Sequence, residues 1–279
     1  MSTKRVLAIH DLCSFGRCSL TAAIPIISAM GFQVCPLPTA LFSNNLTYPS
    51  FISTDCTKTM PQFINKWEEL NYTYNAIYSG FLGDISQINL VEHAIDRLGA
   101  NAEWIIVDPA MGDNGKLYPI FTPEIVPAMR KLIQKATLIT PNYTEATLLS
   151  DIPYKQTEIP TSKKIKEICQ KLSYLGPKKV IITSIPDTEK HIKIVCYDHD
   201  TMLYDEYTVK RIPFSTCGTG DIFTSIITGS LLSGMNLFTA IKTAADFLSE
   251  VITYTYEAKT DYREGIQLEP HLHKLWNMK

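Results

Sequence analysis

A glycine-rich turn that ends in an acid is the feature of this sequence that most directly suggests chemistry. The segment Phe214–Phe223 reads FSTCGTGDIF, and an apolar stretch typical of a buried helix follows it. Because Gly218 and Gly220 lack a Cβ, the backbone N–H groups around Thr219 can converge on one anion in front of the positive helix end. Asp221 could then accept a proton from a hydroxyl that attacks a bound phosphoryl group. The alternative is an acid that only stabilises the helix dipole, by about 0.3–1 kcal/mol.

A second group of acids follows an apolar run in the middle of the chain. Trp104–Asp113 reads WIIVDPAMGD, which predicts a buried strand followed by Asp108 and, after a glycine, Asp113. Doubly wound sheets bind ligands at the carboxyl ends of their strands. Mg²⁺ typically takes one or two carboxylates together with phosphate oxygens and waters. The two acids are therefore candidate magnesium ligands, unless they only cap a loop.

Two further strand ends carry polar residues. Leu138–Glu145 reads LITPNYTE, so Asn142 and Glu145 stand three residues apart at the start of a predicted helix. That spacing is also typical of a helix N-cap with an acid in the first turn. The segment VIITS places the hydroxyl groups of Thr183 and Ser184 after another predicted strand. Hydroxyl groups are common at such places without any function.

The elements that must position these residues alternate along the chain. Short apolar runs are followed by amphipathic stretches, which is the pattern of βαβ units with a parallel sheet. The predicted strands are Arg5–Ile9, Gln33–Leu37, Ala76–Tyr78, Trp104–Val107, Thr137–Ile139 and Val180–Thr183. The predicted helices are Ser19–Met30, Met60–Leu70, Ile85–Leu98, Pro123–Ile133, Ser162–Leu175, Asp221–Ser233 and Leu237–Tyr254.

One interval departs from this alternation. Ile192–Tyr197 and Met202–Val209 are rich in β-forming residues and flank a turn, which predicts an antiparallel hairpin at a sheet edge. No internal repeat or Pro/Gly-rich linker divides the chain. The sequence therefore predicts an α/β fold with a doubly wound, mostly parallel central sheet, helices on both faces and an antiparallel edge hairpin. We expect one domain over residues 1–279.

Composition argues against several classes of function. A chain of 279 residues with 45% hydrophobic and 19% charged residues can bury a substantial core. Its formal net charge of −2 provides no positive field, so no nucleic-acid partner is expected. The first apolar run is interrupted by His10 and Asp11, which argues against a signal peptide or membrane span and favours a cytoplasmic protein. The seven cysteines show no metal-binding spacing and are expected to be reduced thiols.

The GTGD turn resembles the GxGD signature of the ribokinase superfamily, which Gly218, Gly220 and Asp221 match position for position. The resemblance implies that Asp221 is the catalytic base. It also implies that the two glycines, with Thr219 between them, form the anion hole for a phosphoryl group donated by ATP. The segment around Asp108 is similar to the DPVxGD stretch of pyridoxal kinases. No Walker A pattern occurs in the chain, so a P-loop kinase is not supported.

The same resemblance implies metal and nucleotide contacts. Asn142 and Glu145 match the NxxE motif of the superfamily, which implies that they organise metal, water and phosphate. The implied magnesium ligands are Asp108, Asp113 and Glu145. The implied nucleotide contacts are Asn142, Glu145, Thr183, Ser184 and Asp113. Members of this family typically need Mg²⁺, often with K⁺, and are homodimers, so we expect the same here.

The substrate side resembles pyridoxal kinases less fully. Thr39–Tyr48 reads TALFSNNLTY and is similar to the V-Q-F-S-N-H-T-x-Y stretch on the substrate loop of that family. The resemblance implies that Phe42 stacks on a heteroaromatic ring and that Ser43 lies at the substrate. The family's loop threonine aligns with Leu46, or with Thr47 after a slip of one residue.

Two other positions depart from the family pattern. Phe81 stands in YSGFLG where the family usually has tyrosine, so a phenolic hydroxyl is lost. Asp11 takes the place of a serine that contacts the pyridine ring. Because a buried carboxylate needs a partner, we expect Asp11 to favour a cationic ligand such as pyridoxamine or a protonated pyridine nitrogen.

The predicted activity is ATP-dependent phosphorylation of the hydroxymethyl group of a B6 vitamer, which is pyridoxal, pyridoxamine or pyridoxine. Asp11 is also similar to the acid in the G-S-D opening of hydroxymethylpyrimidine kinases, so that activity is the alternative. A non-catalytic vitamin-binding protein on the same fold is a further alternative, in which Asp221 would have no purpose. A dinucleotide-dependent oxidoreductase would need G-x-G-x-x-G after the first strand, where SFGRCS has only one glycine.

Overall fold

The computed structural model describes residues 3–155 and 158–276 of the chain. Its centre is a nine-stranded sheet, and a two-stranded hairpin lies apart from it. The strands are β1 (Arg5–Cys13), β2 (Gln33–Phe42), β3 (Ser53–Asp55), β4 (Ala76–Ser79), β5 (Trp104–Val107), β6 (Gly112–Asp113), β7 (Lys116–Leu117), β8 (Leu138–Ile139), β9 (Lys179–Pro186), β10 (His191–Asp198) and β11 (Leu203–Lys210). The helices are α1 (Ser19–Ala29), α2 (Met60–Glu69), α3 (Ile85–Leu98), α4 (Ile125–Ile133), α5 (Tyr143–Ser150), α6 (Ser162–Tyr174), α7 (Thr219–Leu232), α8 (Leu237–Ala258) and α9 (Leu272–Trp276).

The order of the strands in the sheet is β11-β10-β9-β8-β5-β4-β1-β2-β3. The pairings from β9 to β2 are parallel, whereas β3, β10 and β11 pair antiparallel at the two edges. From β1 the chain first moves outward to β2 and later returns to β4 on the other side. The carboxyl ends of β1 and β4 therefore flank a switch point, where open α/β sheets bind their ligands. The predicted fold class and its antiparallel edge hairpin are confirmed.

Two hydrophobic clusters cover the two faces of the sheet. In β1, Leu7 and Ile9 point into one cluster and Val6 into the other, as the two-residue period of a strand requires. Helices α2 to α6 contribute to the first cluster, and α1, α7, α8 and α9 contribute to the second. Helix α7, which begins in the GTGD turn, therefore starts near the carboxyl ends of the strands and then lies buried against the sheet.

The end of β1 differs from the prediction. The strand continues through His10 and Asp11 to Cys13, whereas the apolar pattern predicted an end at Ile9. The pairing with β2 shifts register between His10 and Leu12, so a bulge carries two polar residues within the ladder. Both polar side chains are buried, which is why a reading based on apolar runs ended the strand too early.

Other boundaries also move, and short elements were missed. Helix α7 begins at Thr219 instead of Asp221, and α8 continues to Ala258 instead of Tyr254. The short strands β3, β6 and β7 were not predicted because two or three residues are too few to show a period. Among the described residues, no helix combines the length and the apolar character that a membrane crossing requires.

Candidate active site

The turn before α7 has the geometry of an anion site. Gly218, the residue that precedes the helix, has φ = 86°, which is left-handed and favours glycine. A Cβ at this position would lie 2.1 Å from the carbonyl oxygen of Arg17, so the turn packs backbone to backbone on the loop after β1. The first N–H groups of a helix have no intrahelical acceptor. The N–H groups of Thr219, Gly220 and Asp221 belong to that first turn, so their role in binding an anion stays a prediction.

The carboxylate of Asp221 lies in the same turn and is only 15% exposed. Its Oδ2 accepts a hydrogen bond of 2.7 Å from the backbone N–H of Ser19. Burial raises the pKa of Asp221 to about 7, and the negative charge of Asp11 adds to this shift, while the Ser19 hydrogen bond opposes it. A carboxyl group that titrates near neutral pH suits a general base, because the base must both accept and release a proton.

Ser19 joins two acids of the site. It is the first residue of α1, with φ = 51°, and its backbone holds Asp221 while its Oγ donates to Asp11 at 2.7 Å. The other oxygen of Asp11 accepts from the thiol of Cys13 at 3.2 Å. Burial raises the pKa of Asp11, and both hydrogen bonds oppose the rise. Because both oxygens have donors within the chain, the preference of Asp11 for a cationic ligand stays a prediction.

Asp108 lies beneath the glycine turn. It follows β5, and its backbone N–H donates to the carbonyl of Ser79 at 2.9 Å. A Cβ on Gly220 would lie 3.5 Å from Oδ2 of Asp108, which is an ordinary contact distance. Burial raises the pKa of Asp108 well above its usual value, and the negative charges of Glu145 and Asp221 raise it further. Three acids therefore share one buried region at the ends of the strands.

Glu145 and Asn142 form the helix cap that was the structural alternative. The Glu145 backbone N–H donates to Asn142 Oδ1 at 3.0 Å, and the Asn142 N–H donates to Glu145 Oε2 at 2.8 Å. The pair also fixes the loop after Asp108, because Glu145 Oε1 accepts from Met111 N–H at 3.0 Å and Asn142 Nδ2 donates to the Gly112 carbonyl at 2.8 Å. Burial raises the pKa of Glu145 to about 8, and these backbone donors oppose it. The NxxE motif thus connects α5 to the loop that follows β5 and contains Asp108.

The predicted metal ligands are not brought together as one set. Asp113 is exposed and accepts hydrogen bonds from the backbone and side-chain nitrogens of Asn114, at 2.8 and 3.1 Å. Within the described ranges, no group of three or more His, Cys, Asp or Glu side chains is arranged to hold a metal ion. Asp108 and Glu145 interact electrostatically in the buried region, and Asp113 lies at its rim.

The two hydroxyl residues of β9 lie at an irregularity in the sheet. Thr183 donates its backbone N–H to the carbonyl of Pro141 at 3.0 Å and forms a bridge with Asn142. Ser184 has φ = 55°, and the pairing of β9 with β10 shifts register at this point. Thr183 therefore lies beside the NxxE motif, and Ser184 is exposed on the bulge.

Residues 42–52, which we call the substrate loop, are held mostly by local contacts. The ring of Phe42 meets Phe51 edge to face at 5.6 Å. Ser43 Oγ donates to Asn44 Oδ1 at 2.7 Å and accepts from Ile52 N–H at 2.9 Å. The other predicted residues differ in their surroundings: Leu46 is 41% exposed, Thr47 donates to Asn45, and the ring of Phe81 lies 5.8 Å from that of Phe121.

Asn45 anchors the substrate loop, although no sequence motif predicts this role. It is buried, and its Nδ2 donates to the carbonyl of Arg263 at 2.7 Å. Residues 261–265, which we call the C-terminal segment, also accept a hydrogen bond from Thr216 Oγ1 and one of 3.2 Å from the Arg17 N–H. The segment therefore joins the loop after β1, the substrate loop and the turn before α7. No local motif marks a contact between residues so far apart in sequence.

Comparison with known proteins agrees with this geometry. The family model described as phosphomethylpyrimidine kinase matches residues 19–265. The chain belongs to the phosphomethylpyrimidine kinase family. The matched residues include α1, the loop after β5, the NxxE motif and the GTGD turn, and so most of the residues that line the site.

Individual proteins of known structure or function are also similar to this chain. A crystal structure of a protein from Bacteroides thetaiotaomicron, assigned as a phosphomethylpyrimidine kinase and crystallised with pyridoxal, is 45% identical and covers 98% of this chain and 96% of its own, with a TM-score of 0.93. Pyridoxal kinase from Lactobacillus plantarum is 28% identical, with coverage of 99% and 98% and a TM-score of 0.90. Pyridoxal kinase from Arabidopsis thaliana is 29% identical over 81% of this chain and 74% of its own. The predicted resemblance to pyridoxal kinases is confirmed.

Proposed function

We propose that this member of the phosphomethylpyrimidine kinase family is an ATP-dependent kinase that phosphorylates the hydroxymethyl group of a B6 vitamer. The observation that carries the proposal is the position of Asp221. Its carboxylate is mostly buried, titrates near neutral pH and lies in the same helix turn as the N–H groups of the anion site. Relatives named pyridoxal kinase bear out the predicted activity.

The geometry supports a direct transfer. Asp221 would take the proton from the vitamer hydroxyl as that oxygen forms a bond to the γ-phosphorus of ATP. The bond from the γ-phosphorus to the bridging oxygen breaks, and ADP leaves with the electron pair. The N–H groups between Gly218 and Asp221 would stabilise the charge on the transferred phosphoryl group. Helix α7 carries both the base and the anion site, so their positions relative to each other are fixed.

A magnesium ion fits the buried acids. Burial raises the pKa of Asp108, the negative charges of Glu145 and Asp221 raise it further, and a divalent cation would relieve that repulsion. Asp108 would be the principal protein ligand, with Glu145 and Asp113 as the further candidates. When bound, Mg²⁺ would neutralise charge on the ATP phosphates. Thr183, Ser184 and Asn142 would then face the nucleotide, and a K⁺ requirement belongs to the same proposal.

The acceptor is the second part of the proposal. The pyridoxal in the crystal form of the 45% identical Bacteroides protein favours a B6 vitamer. The description of the matching family favours a hydroxymethylpyrimidine as the alternative acceptor. We propose that the acceptor binds between Asp11 and the substrate loop. In the loop, Phe42, Ser43 and either Leu46 or Thr47 would contact it, and Phe81 would lie beside it.

Parallel assays test the proposal. Pyridoxal, pyridoxamine, pyridoxine and hydroxymethylpyrimidine are incubated with ATP and Mg²⁺, with and without K⁺, and the phosphorylated product is measured. We expect turnover of at least one vitamer. Turnover of the pyrimidine alone would establish the alternative, whereas ligand binding with no turnover would support a vitamin-binding protein.

We propose a homodimer in the cytoplasm, built from one domain per chain. Light scattering after size-exclusion chromatography measures the mass of the assembly, and a mass equal to one chain would contradict the dimer. A single cooperative unfolding transition is expected for one domain, whereas two separable transitions would argue against it.

A further inference from the structure

His10 is a polar side chain enclosed next to the proposed base. It lies in β1 at the switch point and is fully buried, at 0% exposure. Its ring meets the ring of Tyr78 edge to face, with centroids 4.3 Å apart. The backbone of Gly80 also contacts the ring, since a Cβ there would come within 2.2 Å of His10 Nδ1. The imidazole is thus enclosed by an aromatic ring and by a backbone position that has room only for glycine.

The ring nitrogens of His10 have no hydrogen-bond partner within residues 3–155 and 158–276. A buried donor or acceptor that lacks a partner costs about 1–3 kcal/mol, so such an arrangement is rarely kept without a function. The nearby charged group is Asp221, whose Oδ1 lies 3.8 Å from His10 Nδ1. Burial lowers the pKa of His10 to about 3, so the imidazole is neutral and carries a single N–H.

The two neutral tautomers of His10 would affect Asp221 in opposite ways. With the hydrogen on Nδ1, the ring directs a donor at Oδ1 of the carboxylate. With the hydrogen on Nε2, a lone pair on Nδ1 would face the carboxylate and repel it. The Ser19 N–H already fixes Oδ2, so the orientation of Oδ1 depends on the group that faces it. Catalytic hydrogen bonds are often long in unliganded structures and shorten when the substrate binds.

We propose that His10 is a positioning residue for Asp221, in which Nδ1–H directs Oδ1 of the carboxylate toward the acceptor hydroxyl. This inference rests on the proposed function of Asp221. His10 itself does not touch the acceptor, because its side chain is fully enclosed. It acts by fixing the second oxygen of the carboxylate, as the Ser19 backbone fixes the first.

Steady-state kinetics of three variants test this role. His10→Asn retains a donor near the position of Nδ1, His10→Gln moves the donor outward, and His10→Leu removes it at similar volume. We expect His10→Leu to lower kcat about 10- to 100-fold, with KM for vitamer and ATP changed less than about threefold. His10→Asn should recover most of kcat, and His10→Gln less. Equal losses in all three variants, or a loss that appears only in KM, would overturn the inference.

A spectroscopic measurement separates this inference from the proposed function, because it needs no turnover. The protein is labelled with ¹⁵N-histidine, and two-bond ¹H–¹⁵N correlations report the tautomer of each of its six histidines. The His10→Asn spectrum assigns the His10 signals, and His93→Asn is the matched control. We expect a neutral Nδ1–H tautomer whose shifts change in Asp221→Asn. An Nε2–H tautomer that ignores Asp221→Asn would overturn the inference, whereas a wild type without kinase activity would overturn only the proposed function.

Discussion

The transfer region and the substrate loop of this molecule are built in different ways. The transfer region comprises Asp221, Ser19, Asp108 and the Gly218 turn, and backbone groups of the sheet edge and helix ends hold it in place. The substrate loop is held by its own side chains, one of which, Asn45, bonds to the Arg263 carbonyl, and Ile52 within it is 79% exposed.

We expect this difference to separate the residues that set the rate of phosphoryl transfer from the residues that recognise the acceptor. Backbone donors at fixed helix ends do not vary with side-chain identity, so the transfer region can keep its geometry while its surroundings change. The side chains of the loop can be exchanged at little cost to the fold, because most of them are exposed. We therefore expect changes in the transfer region to lower kcat and changes in the loop to alter KM and the ranking of vitamers.

The largest effect is expected from Asp221→Asn. The amide cannot accept the proton, so kcat should fall roughly 10²- to 10⁴-fold, while the fold and the ATP affinity are retained. Steady-state kinetics and calorimetric titration of ATP measure the two quantities. A variant that keeps more than about a tenth of wild-type kcat would remove Asp221 from its proposed role.

Gly218→Ala should have the next largest effect. A Cβ would meet the Arg17 carbonyl at 2.1 Å and strain a left-handed residue, so the N–H groups of the turn should move and kcat should fall roughly 10²-fold. Gly234→Ala is the matched control, because Gly234 also has φ = 86° but, in the part of the chain that the structure describes, no atom apart from its immediate neighbours lies within 4 Å of its Cβ position. Both variants should lose about 1–3 kcal/mol of unfolding free energy from the backbone strain, measured in urea. Similar kcat values in the two variants would contradict an anion site at Gly218.

Asp108→Asn tests which acid of the site binds Mg²⁺. Loss of the carboxylate that would bind the ion should raise the Mg²⁺ concentration that gives half-maximal activity by about tenfold or more. Asp113→Asn is the control, since its exposed carboxylate interacts with Asn114, and a shift below about threefold is expected. Magnesium titrations at saturating ATP measure both. A larger shift for Asp113 would place the ion at the rim.

The smallest effect is expected in the substrate loop. If Phe42 stacks on the acceptor ring, Phe42→Ala loses about 0.5–1.5 kcal/mol, so KM for the vitamer should rise roughly 2- to 12-fold. The value of kcat should stay within about twofold, in contrast to changes in the transfer region. Phe63→Ala, at an exposed phenylalanine of α2, is the control. A fall in kcat without a change in KM would show that the loop is part of the transfer region.

The two regions also differ in how far the sequence predicted them. The GTGD turn and the acids after β5 could be located because their chemistry lies within a few adjacent residues. The fold followed from apolar runs, and its errors fell where polar residues continue a strand, as at the end of β1. Ser19, His10 and Asn45 could not be found, because their importance comes from contacts with residues far away in the chain. The helix cap made by Asn142 and Glu145 was predicted as the alternative to a metal role, and the structure contains it.

The C-terminal segment has a consequence for how the protein is made. Parts of the site that are far apart in the sequence meet on residues 261–265, through Arg17, Asn45 and Thr216. A ribosome that has released the GTGD turn has therefore not yet released the residues that join this turn to the substrate loop. Growing chains, and chains cut by a protease before the segment, should be silent instead of partly active. Activity should appear only after residues 261–265 have left the ribosome.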